Sequence, residues 1–300
     1  MATEVDAHAL GRLSDRRFAV ASAAGTSALA TVIFAPILYY MVIHWGDQPD
    51  YSHGFLIAPL AAYFAWERRG KLRRVEVAPS WWGLVPLALG ALSLMVGRLG
   101  VELMSMRAAF VFTLIGLNLL LLGIPMFRIL AFPMLFLFLM VPLPQSLVNV
   151  IAFPLQLLAA DLAVQTLQVL GYPVLREGNI IHLPNSQLFV AEACSGLRSL
   201  MALGTLGIVF AYFFRKHWVE RVILVASTLP IAVLVNAFRV WLTSVLTLRF
   251  GEEAASGAVH QTEGFFTFGL AFALLLLEAR MLTFLRSRAG ATAPATGVRT

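Results

Sequence analysis

The chain has little charge and almost no cysteine. Only 13% of its 300 residues are charged, against roughly 25% in a typical soluble domain. Its single cysteine excludes a disulfide scaffold and a structural zinc site built from several cysteines. With 59% hydrophobic residues and a mean hydropathy of +0.81, the composition also excludes a disordered chain.

The sequence instead contains several long apolar runs. A run that crosses a bilayer must satisfy its own backbone groups as a helix, so the sequence predicts an all-α polytopic membrane protein. We expect about eight transmembrane helices in one integral-membrane domain at 18–288, after a cytoplasmic N-terminal segment at 1–17 and before a disordered cytoplasmic tail at 289–300. The runs lie at 18–45, 53–66, 81–98, 103–123, 126–142, 195–214, 222–248 and 262–284.

The net charge of +6 does not indicate a nucleic-acid partner. The basic residues stand in short clusters at the ends of the apolar runs, which is the distribution that the positive-inside rule produces in membrane proteins. The clusters predict that both termini are cytoplasmic and that the segment around Cys194 faces outward. They include Arg12, Arg16 and Arg17, the group from Arg68 to Arg74, Arg215 to Arg221, and Arg286 with Arg288.

Two segments are predicted to lie outside the hydrocarbon core. Residues 145–170 have a helical pattern but carry several Gln, Asn and Asp side chains, and a further span there would move later basic loops to the wrong side. We therefore expect an interfacial helix at 145–170. Residues 171–193 contain the turn signals Glu177-Gly178-Asn179 and Pro184-Asn185-Ser186 between apolar runs, which predicts a short strand or hairpin element on the outer face.

Cys194 stands where an apolar helix is predicted to begin. The positive end of the helix dipole and the unsatisfied N–H groups there stabilise a thiolate and make the cysteine a nucleophile. In the segment Glu192-Ala-Cys-Ser-Gly-Leu-Arg, the backbone of Ser195 and Gly196 can face a developing oxyanion, and Arg198 follows one turn later. The alternative interpretation is a small buried hydrophobic side chain.

Arg239 and His260 are the other candidates for chemistry. Arg239 lies deep in the run 222–248, with Asn236 three residues earlier on the same helical face. His260 begins the last span and is followed at one turn by Glu263, which can orient its imidazole for acid–base work. The alternatives are an arginine that fixes helix packing by pairing with a carboxylate or with backbone carbonyls, and an interfacial histidine satisfied by headgroups and water.

Together these residues fit acyl transfer. A thiolate attacks a carbonyl, a fixed positive charge stabilises the oxyanion, and a histidine carries the proton. His53 is predicted on the same outer side, where it can line a substrate entrance, and Arg107 can extend outward from its span. No motif indicates a metal site or a cofactor.

The chain resembles the exosortases, bacterial relatives of the archaeosortases. Five blocks across the chain carry the resemblance, and the Cys-Ser-Gly-Leu-Arg block with the later Asn-x-x-Arg and His is the specific part. The blocks are Asp50-Tyr51-Ser52-His53-Gly54, Glu177-Gly178-Asn179-Ile180-Ile181, Glu192-Ala193-Cys194-Ser195-Gly196-Leu197-Arg198-Ser199, Asn236-Ala237-Phe238-Arg239, and His260 followed by Gly264.

The resemblance implies a cysteine transpeptidase of the bacterial inner membrane, with Cys194, Arg239 and His260 as its triad and no cofactor. Its substrates would be proteins that end in a Pro-Glu-Pro-like motif, a transmembrane helix and a basic tail. It would cut them at the outer face and pass the new C-terminus to an acceptor, in a process linked to exopolysaccharide production. A partner protein from the same exopolysaccharide locus, and contact with membrane lipid, are also implied.

Two other functions stay open at this point. A non-catalytic transporter or assembly subunit for polysaccharide export would use Arg239 for an anion or for packing, and it should tolerate serine at Cys194. A cysteine protease would share the acyl-enzyme and pass it to water. For the transpeptidase and for the protease alike, the extended substrate motif is predicted to contact Arg176, Asn179 and Asn185.

Overall fold

The computed structural model describes residues 2–184, 186–190, 197–214, 217–251 and 257–291. These residues form long helices and one small sheet, so the predicted all-α polytopic class with a short strand element is confirmed. The chain divides into two compact units, Met1–Gln145 and Ser146–Thr300. The predicted domain boundaries stay a prediction.

The first unit contains six helices. The predicted run 18–45 is a bent pair, because the chain turns by 67° between the first two helices, where Pro36 enters the first turn of the second. The helices are α1 (Ala2–Ile33), α2 (Ala35–Asp47), α3 (Gly54–Glu67), α4 (Arg69–Arg74), α5 (Leu84–Leu99) and α6 (Leu103–Phe136), with a 3₁₀ turn at Leu137–Met140 after α6.

Helix α6 folds back on itself at Gly123. This residue has a φ of +83°, which favours glycine, and the carbonyl oxygen of Ala78 fills the place that a side chain would need. The rings of Phe112 and Phe138 lie 5.0 Å apart, whereas a straight helix would separate two such residues by roughly 39 Å. The runs predicted separately at 103–123 and 126–142 are therefore the two arms of one hairpin.

Glycines allow α5 to approach the first arm of α6 closely. Gly83, directly before α5, and Gly90 and Gly97 within it recur every seven residues, so they lie along one face, and each faces backbone atoms at or next to α6. From the other side, a Cβ at Gly116 would lie 2.8 Å from the amide nitrogen of Leu87. Small residues at such positions are the usual way in which membrane helices pack.

The two ends of the first unit differ in charge. At one end the Arg16 side chain donates hydrogen bonds to the carbonyl oxygens of Leu72 (2.6 Å) and Arg73, and this end carries the basic cluster of α4. At the other end Trp45 Nε1 donates to the carbonyl of Met140 (3.0 Å) and the Tyr51 hydroxyl to that of Leu143 (3.2 Å). This separation matches the loops that the positive-inside rule assigned to opposite sides.

In its described residues, the second unit contains four helices and the sheet. The sheet is an antiparallel meander in the order β1-β2-β3, in which His182 pairs with Leu175 on one side and Gln187 on the other. Its strands meet at the two predicted turns. The elements are α7 (Gln145–Val169), β1 (Leu175–Glu177), β2 (Ile180–Leu183), β3 (Ser186–Phe189), α8 (Leu197–Phe214), α9 (Trp218–Phe250) and α10 (Gly257–Ala291).

The sheet packs on α7 and on the C-terminal half of α9. Its inward side chains, among them Ile181 and Leu188, form one buried cluster with Leu167 of α7 and Val240 of α9. Arg176 fixes the edge strand, because its Nε donates to the Asp161 carboxylate (2.9 Å) and its Nη1 to the carbonyl of Gly178 (2.8 Å). The proposed substrate contact at Arg176 thus has a structural role, and Asn185 lies outside the described residues.

Helices α9 and α10 run antiparallel along their whole length. Contacts between side chains define one continuous register from end to end. They join Glu220 to Arg286 (3.4 Å), Ser227 to Glu278 (2.5 Å) and Thr243 to Glu263 (2.8 Å). Helix α8 packs antiparallel on α9 as well, with Gly207 against Thr228.

The number of spans is only partly as predicted. Among the described residues, five helices are long and apolar enough to cross a membrane, or six if α1 and α2 count as one bent span. Helix α7 is one of the five, so its predicted interfacial position is not confirmed. The count of eight is also not confirmed, whereas a multi-pass membrane protein is.

Candidate active site

Helix α9 presents a buried polar face in the second unit. Asn236, Thr243 and Thr247 are 6%, 0% and 5% exposed, and Arg239 lies between them, half-buried. Their spacing of three and four residues places them on one side of the helix. Polar groups on one face of an apolar helix indicate a contact with another polar group rather than with lipid.

Glu263 of α10 meets this face. The Thr243 hydroxyl donates to the Glu263 carboxylate at 2.8 Å and also lies 3.0 Å from the carbonyl oxygen of Arg239. Glu263 is only 5% exposed and interacts electrostatically with Arg239. The structure therefore brings Arg239, Glu263 and Thr243 together, and the pairing of Arg239 with a carboxylate for helix packing stays an alternative interpretation.

The Arg239 guanidinium lies against α10 beside Gly264. A Cβ added at Gly264 would be 3.7 Å from Nη2 and 3.9 Å from Cζ of Arg239. His260 is one turn earlier in the same helix, and residues four apart lie about 6 Å from each other on one helix face. The side chain of His260 is outside the described part of the chain, so its predicted orientation by Glu263 stays a prediction.

The start of α8 lies at the same level of the bundle as Arg239. Gly207 packs on Thr228 of α9. Because the two helices run in opposite directions, Leu197, ten residues before Gly207, is level with Phe238, ten residues after Thr228. The backbone of Arg198 belongs to this first turn, and its side chain is not described. Glu192, Cys194, Ser195 and Gly196 lie outside the described residues.

The strand element ends next to this site. Val190 is fully buried, its amide donates to the carbonyl of Asn179 (2.9 Å), and it shares a cluster with Val240, the neighbour of Arg239. Cys194 follows Val190 by four residues and precedes Leu197 by three. The sequence thus connects two elements that pack on α9 through the segment that contains the cysteine.

His53 belongs to the first unit, where it directly precedes α3 and makes no capping hydrogen bond with its side chain. It is 9% exposed, and burial lowers the pKa of its imidazole, although contacts with the backbone of Leu139 and Asp50 oppose this shift. Trp45 covers the neighbouring Gly54 so closely that a Cβ there would lie 2.5 Å from the indole. The predicted role of His53 at a substrate entrance stays a prediction.

A family comparison identifies the chain. The family model described as transmembrane exosortase (Exosortase_EpsH) matches residues 45–277, which is more than half of the sequence. The chain belongs to the transmembrane exosortase family. Searches of curated proteins and of solved structures found no match.

Membership of the exosortase family gives the chain a general role. Exosortases are membrane transpeptidases that act on substrate proteins bearing a sorting signal. The matched region includes α9 and its contacts with Glu263 and Gly264.

The buried threonines of the site were not predicted from the sequence. Thr243 donates to Glu263, and Thr247 and Thr267 donate to the carbonyls four residues before them, all in buried positions. The available signal was the recurrence of Thr at four-residue spacing within an apolar run. Threonine hydroxyls often bond to their own helix, so this signal alone does not distinguish a helix contact from a site.

Proposed function

We propose that this exosortase is a cysteine transpeptidase in which Cys194 is the nucleophile, Arg239 stabilises the oxyanion and His260 transfers the proton. The observation that carries the proposal is the position of the Arg239 guanidinium. It lies against α10 one turn after His260 and at the level of the first turn of α8, which Cys194 precedes by three residues.

In the first half-reaction, the Cys194 thiolate adds to the carbonyl carbon of the scissile peptide bond. The resulting oxyanion receives hydrogen bonds from the Arg239 guanidinium, supported by backbone N–H groups near Ser195 and Gly196. The C–N bond then breaks, and protonated His260 gives its proton to the departing amine. The products are a thioester on Cys194 and a released C-terminal signal.

In the second half-reaction, neutral His260 accepts a proton from the acceptor, whose nucleophilic atom attacks the thioester carbonyl. Collapse of the second tetrahedral intermediate restores the thiolate and leaves the substrate joined to the acceptor. Water in place of the acceptor would give hydrolysis through the same intermediate.

The substrates are proteins with a Pro-Glu-Pro-like motif, a transmembrane helix and a basic tail. The helix would pack against the spans of the enzyme, and the strand element 175–189 would hold the extended motif. We propose that the site faces outward from a bacterial inner membrane with both termini in the cytoplasm, in a pathway linked to exopolysaccharide. The basic end of the first unit supports this orientation.

Processing of a reporter in cells tests the mechanism. A secreted protein ending in such a signal is co-expressed with wild type, Cys194→Ala, Cys194→Ser, Arg239→Ala and His260→Ala, and its size is followed by immunoblot. Arg249→Ala is the matched control, because Arg249 is an exposed arginine in the last turn of the same helix. We expect cleavage with wild type and Arg249→Ala only.

The Cys194 variants also separate the enzyme from a transporter or assembly subunit. If both variants, expressed at the level of wild type, support full processing, the nucleophile is wrong and the non-catalytic function takes precedence. Because the chain has one cysteine, a membrane-impermeant maleimide reports on that residue alone. Labelling of intact spheroplasts would support the outward orientation, and labelling only of inverted vesicles would contradict it.

A further inference from the structure

Two neighbouring cavities lie at the less basic end of the first unit. One has a volume of about 380 Å³ between α2, α6 and the segment 142–145, and the other has about 570 Å³ between α2, α5 and α6. They share His44, Leu103 and Arg107 in their walls. Arg107 therefore stands at the point where the two spaces adjoin.

Arg107 is a buried cation with no close partner in the described part of the chain. It is 4% exposed, and no hydrogen bond or ion pair joins its guanidinium to another described residue. A buried arginine in a membrane protein is costly unless its charge is compensated, so such a residue indicates a binding function. Its five N–H donors suit a phosphate group in particular.

The nearest acid is already occupied. The Glu102 carboxylate caps α6 by accepting hydrogen bonds from the backbone amides of Met104 (2.8 Å) and Ser105 (2.6 Å), and it acts on Arg107 only at longer range. Arg98, in the last turn of α5, adds a second cation to the larger cavity, which Asp47 also lines. Arg98 and Arg107 thus line the larger cavity together with one carboxylate, Asp47, which does not cap a helix.

The walls of the larger cavity lead out to an exposed apolar surface. Tyr40, Ile43 and Leu103 line it and are 64%, 38% and 50% exposed, and they belong to helices that are apolar enough for a membrane. Arg107 follows Leu103, the first residue of α6, by one turn, or about 6 Å along the helix. This depth suits a headgroup, with the acyl chains along α2.

We propose that these cavities bind the phosphate group of a membrane lipid, held by Arg107 and Arg98. Basic pockets between membrane helices recognise lipid headgroups in this way. The residues of this site belong to the first unit and none of them takes part in the proposed chemistry, and the test of the site measures binding rather than processing.

Lipid binding to the purified, delipidated full-length protein tests the proposal. Native mass spectrometry would follow titrations with phosphatidylglycerol and with diacylglycerol, which has the same chains and no phosphate. We expect one tight phosphatidylglycerol site that Arg107→Gln weakens by about tenfold or more and that Arg107→Lys partly retains. Arg249→Gln, which removes an exposed arginine elsewhere, should bind as wild type does.

Three results would overturn the proposal. These are unchanged affinity in a folded Arg107→Gln, equal binding of diacylglycerol, and competition by inorganic phosphate alone as strong as that by the lipid, which would indicate a site for a free anion. If Arg107→Gln does not fold, Arg98→Gln decides, because the Arg98 side chain is exposed. Affinity several-fold below wild type supports the lipid site, and unchanged affinity rejects it.

Discussion

Replacing Thr243 with valine tests whether the contact between α9 and α10 holds the candidate site in place. Valine keeps the shape of threonine and removes the hydroxyl that donates to Glu263 at 2.8 Å. Thr243 is 0% exposed and Glu263 5%, so water cannot easily take over the lost hydrogen bond. A hydrogen bond to a charged group contributes roughly 1.5–3 kcal/mol, and we expect the variant to lose about 2 kcal/mol of unfolding free energy.

The same change should slow the reaction. In the proposed mechanism Arg239 stabilises the transition state, and Glu263 helps to hold the Arg239 guanidinium. Thr243 in turn holds Glu263, so Thr243 is a positioning residue. If the guanidinium is held less firmly, the enzyme loses more stabilisation of the transition state than of the bound substrate. This loss lowers kcat and leaves KM nearly unchanged. Both quantities can be measured on a purified reporter substrate, next to unfolding in detergent by a chemical denaturant.

Two variants control for the loss of a buried hydroxyl. Thr243→Ser keeps the donor and should restore both stability and kcat. Thr247→Val removes an equally buried hydroxyl that donates only to the carbonyl of Thr243 within its own helix (2.9 Å), so it should cost far less. The reasoning would be refuted if Thr243→Val and Thr247→Val were alike in stability and in kcat.

Two further predictions concern the first unit. Gly116→Ala places a Cβ 2.8 Å from the Leu87 amide nitrogen, which forces α5 and α6 apart; we expect a loss of about 1–3 kcal/mol, measured by thermal unfolding, whereas Gly25→Ala, with open space around it, should not destabilise. For Glu102, burial alone would raise the pKa of the carboxyl, but hydrogen bonds from Ser105 and Met104 and the charge of Arg107 lower that pKa overall. Its stabilisation is therefore complete above the unfolded-state pKa and is lost as the pH falls through the lower folded-state pKa. Glu102→Gln should be less stable than wild type at neutral pH, and melting curves of the two proteins should converge in acid.

Much of the fold could be predicted from the sequence because the local signals are strong. The apolar run 222–248 corresponds to α9 at Trp218–Phe250, and the predicted turns fall between successive strands, at Gly178 and Asn179 and after Leu183. In both cases the pattern of the segment itself determines the element. The burial of the sheet against Val240 also agrees with a strand element near the predicted site.

Features that depend on distant contacts could not be predicted. The close approach of Gly123 to Ala78 arises from packing between segments far apart in the sequence. The contact of Glu263 with Thr243 joins two helices, and the sequence offered only His260, one turn away in the same helix, as a neighbour of Glu263; that pairing stays a prediction. A helical pattern shows which residues share a face and does not show what that face meets.

The electrostatic interaction between Arg239 and Glu263 bears on both interpretations of the arginine. A carboxylate can accept at most two hydrogen bonds from one guanidinium in the usual bidentate arrangement, and the guanidinium has five N–H donors. Pairing with Glu263 is therefore compatible with a role at an oxyanion, and a carboxylate that fixes the arginine before the substrate arrives would add to the preorganisation on which such stabilisation depends. A role in packing alone does not account for the position of Arg239, one turn from His260 and level with the start of α8, which follows the one cysteine of the sequence. For this reason the loss of processing in Arg239→Ala is informative only together with the Thr243 series, in which the arginine is kept and its support is removed.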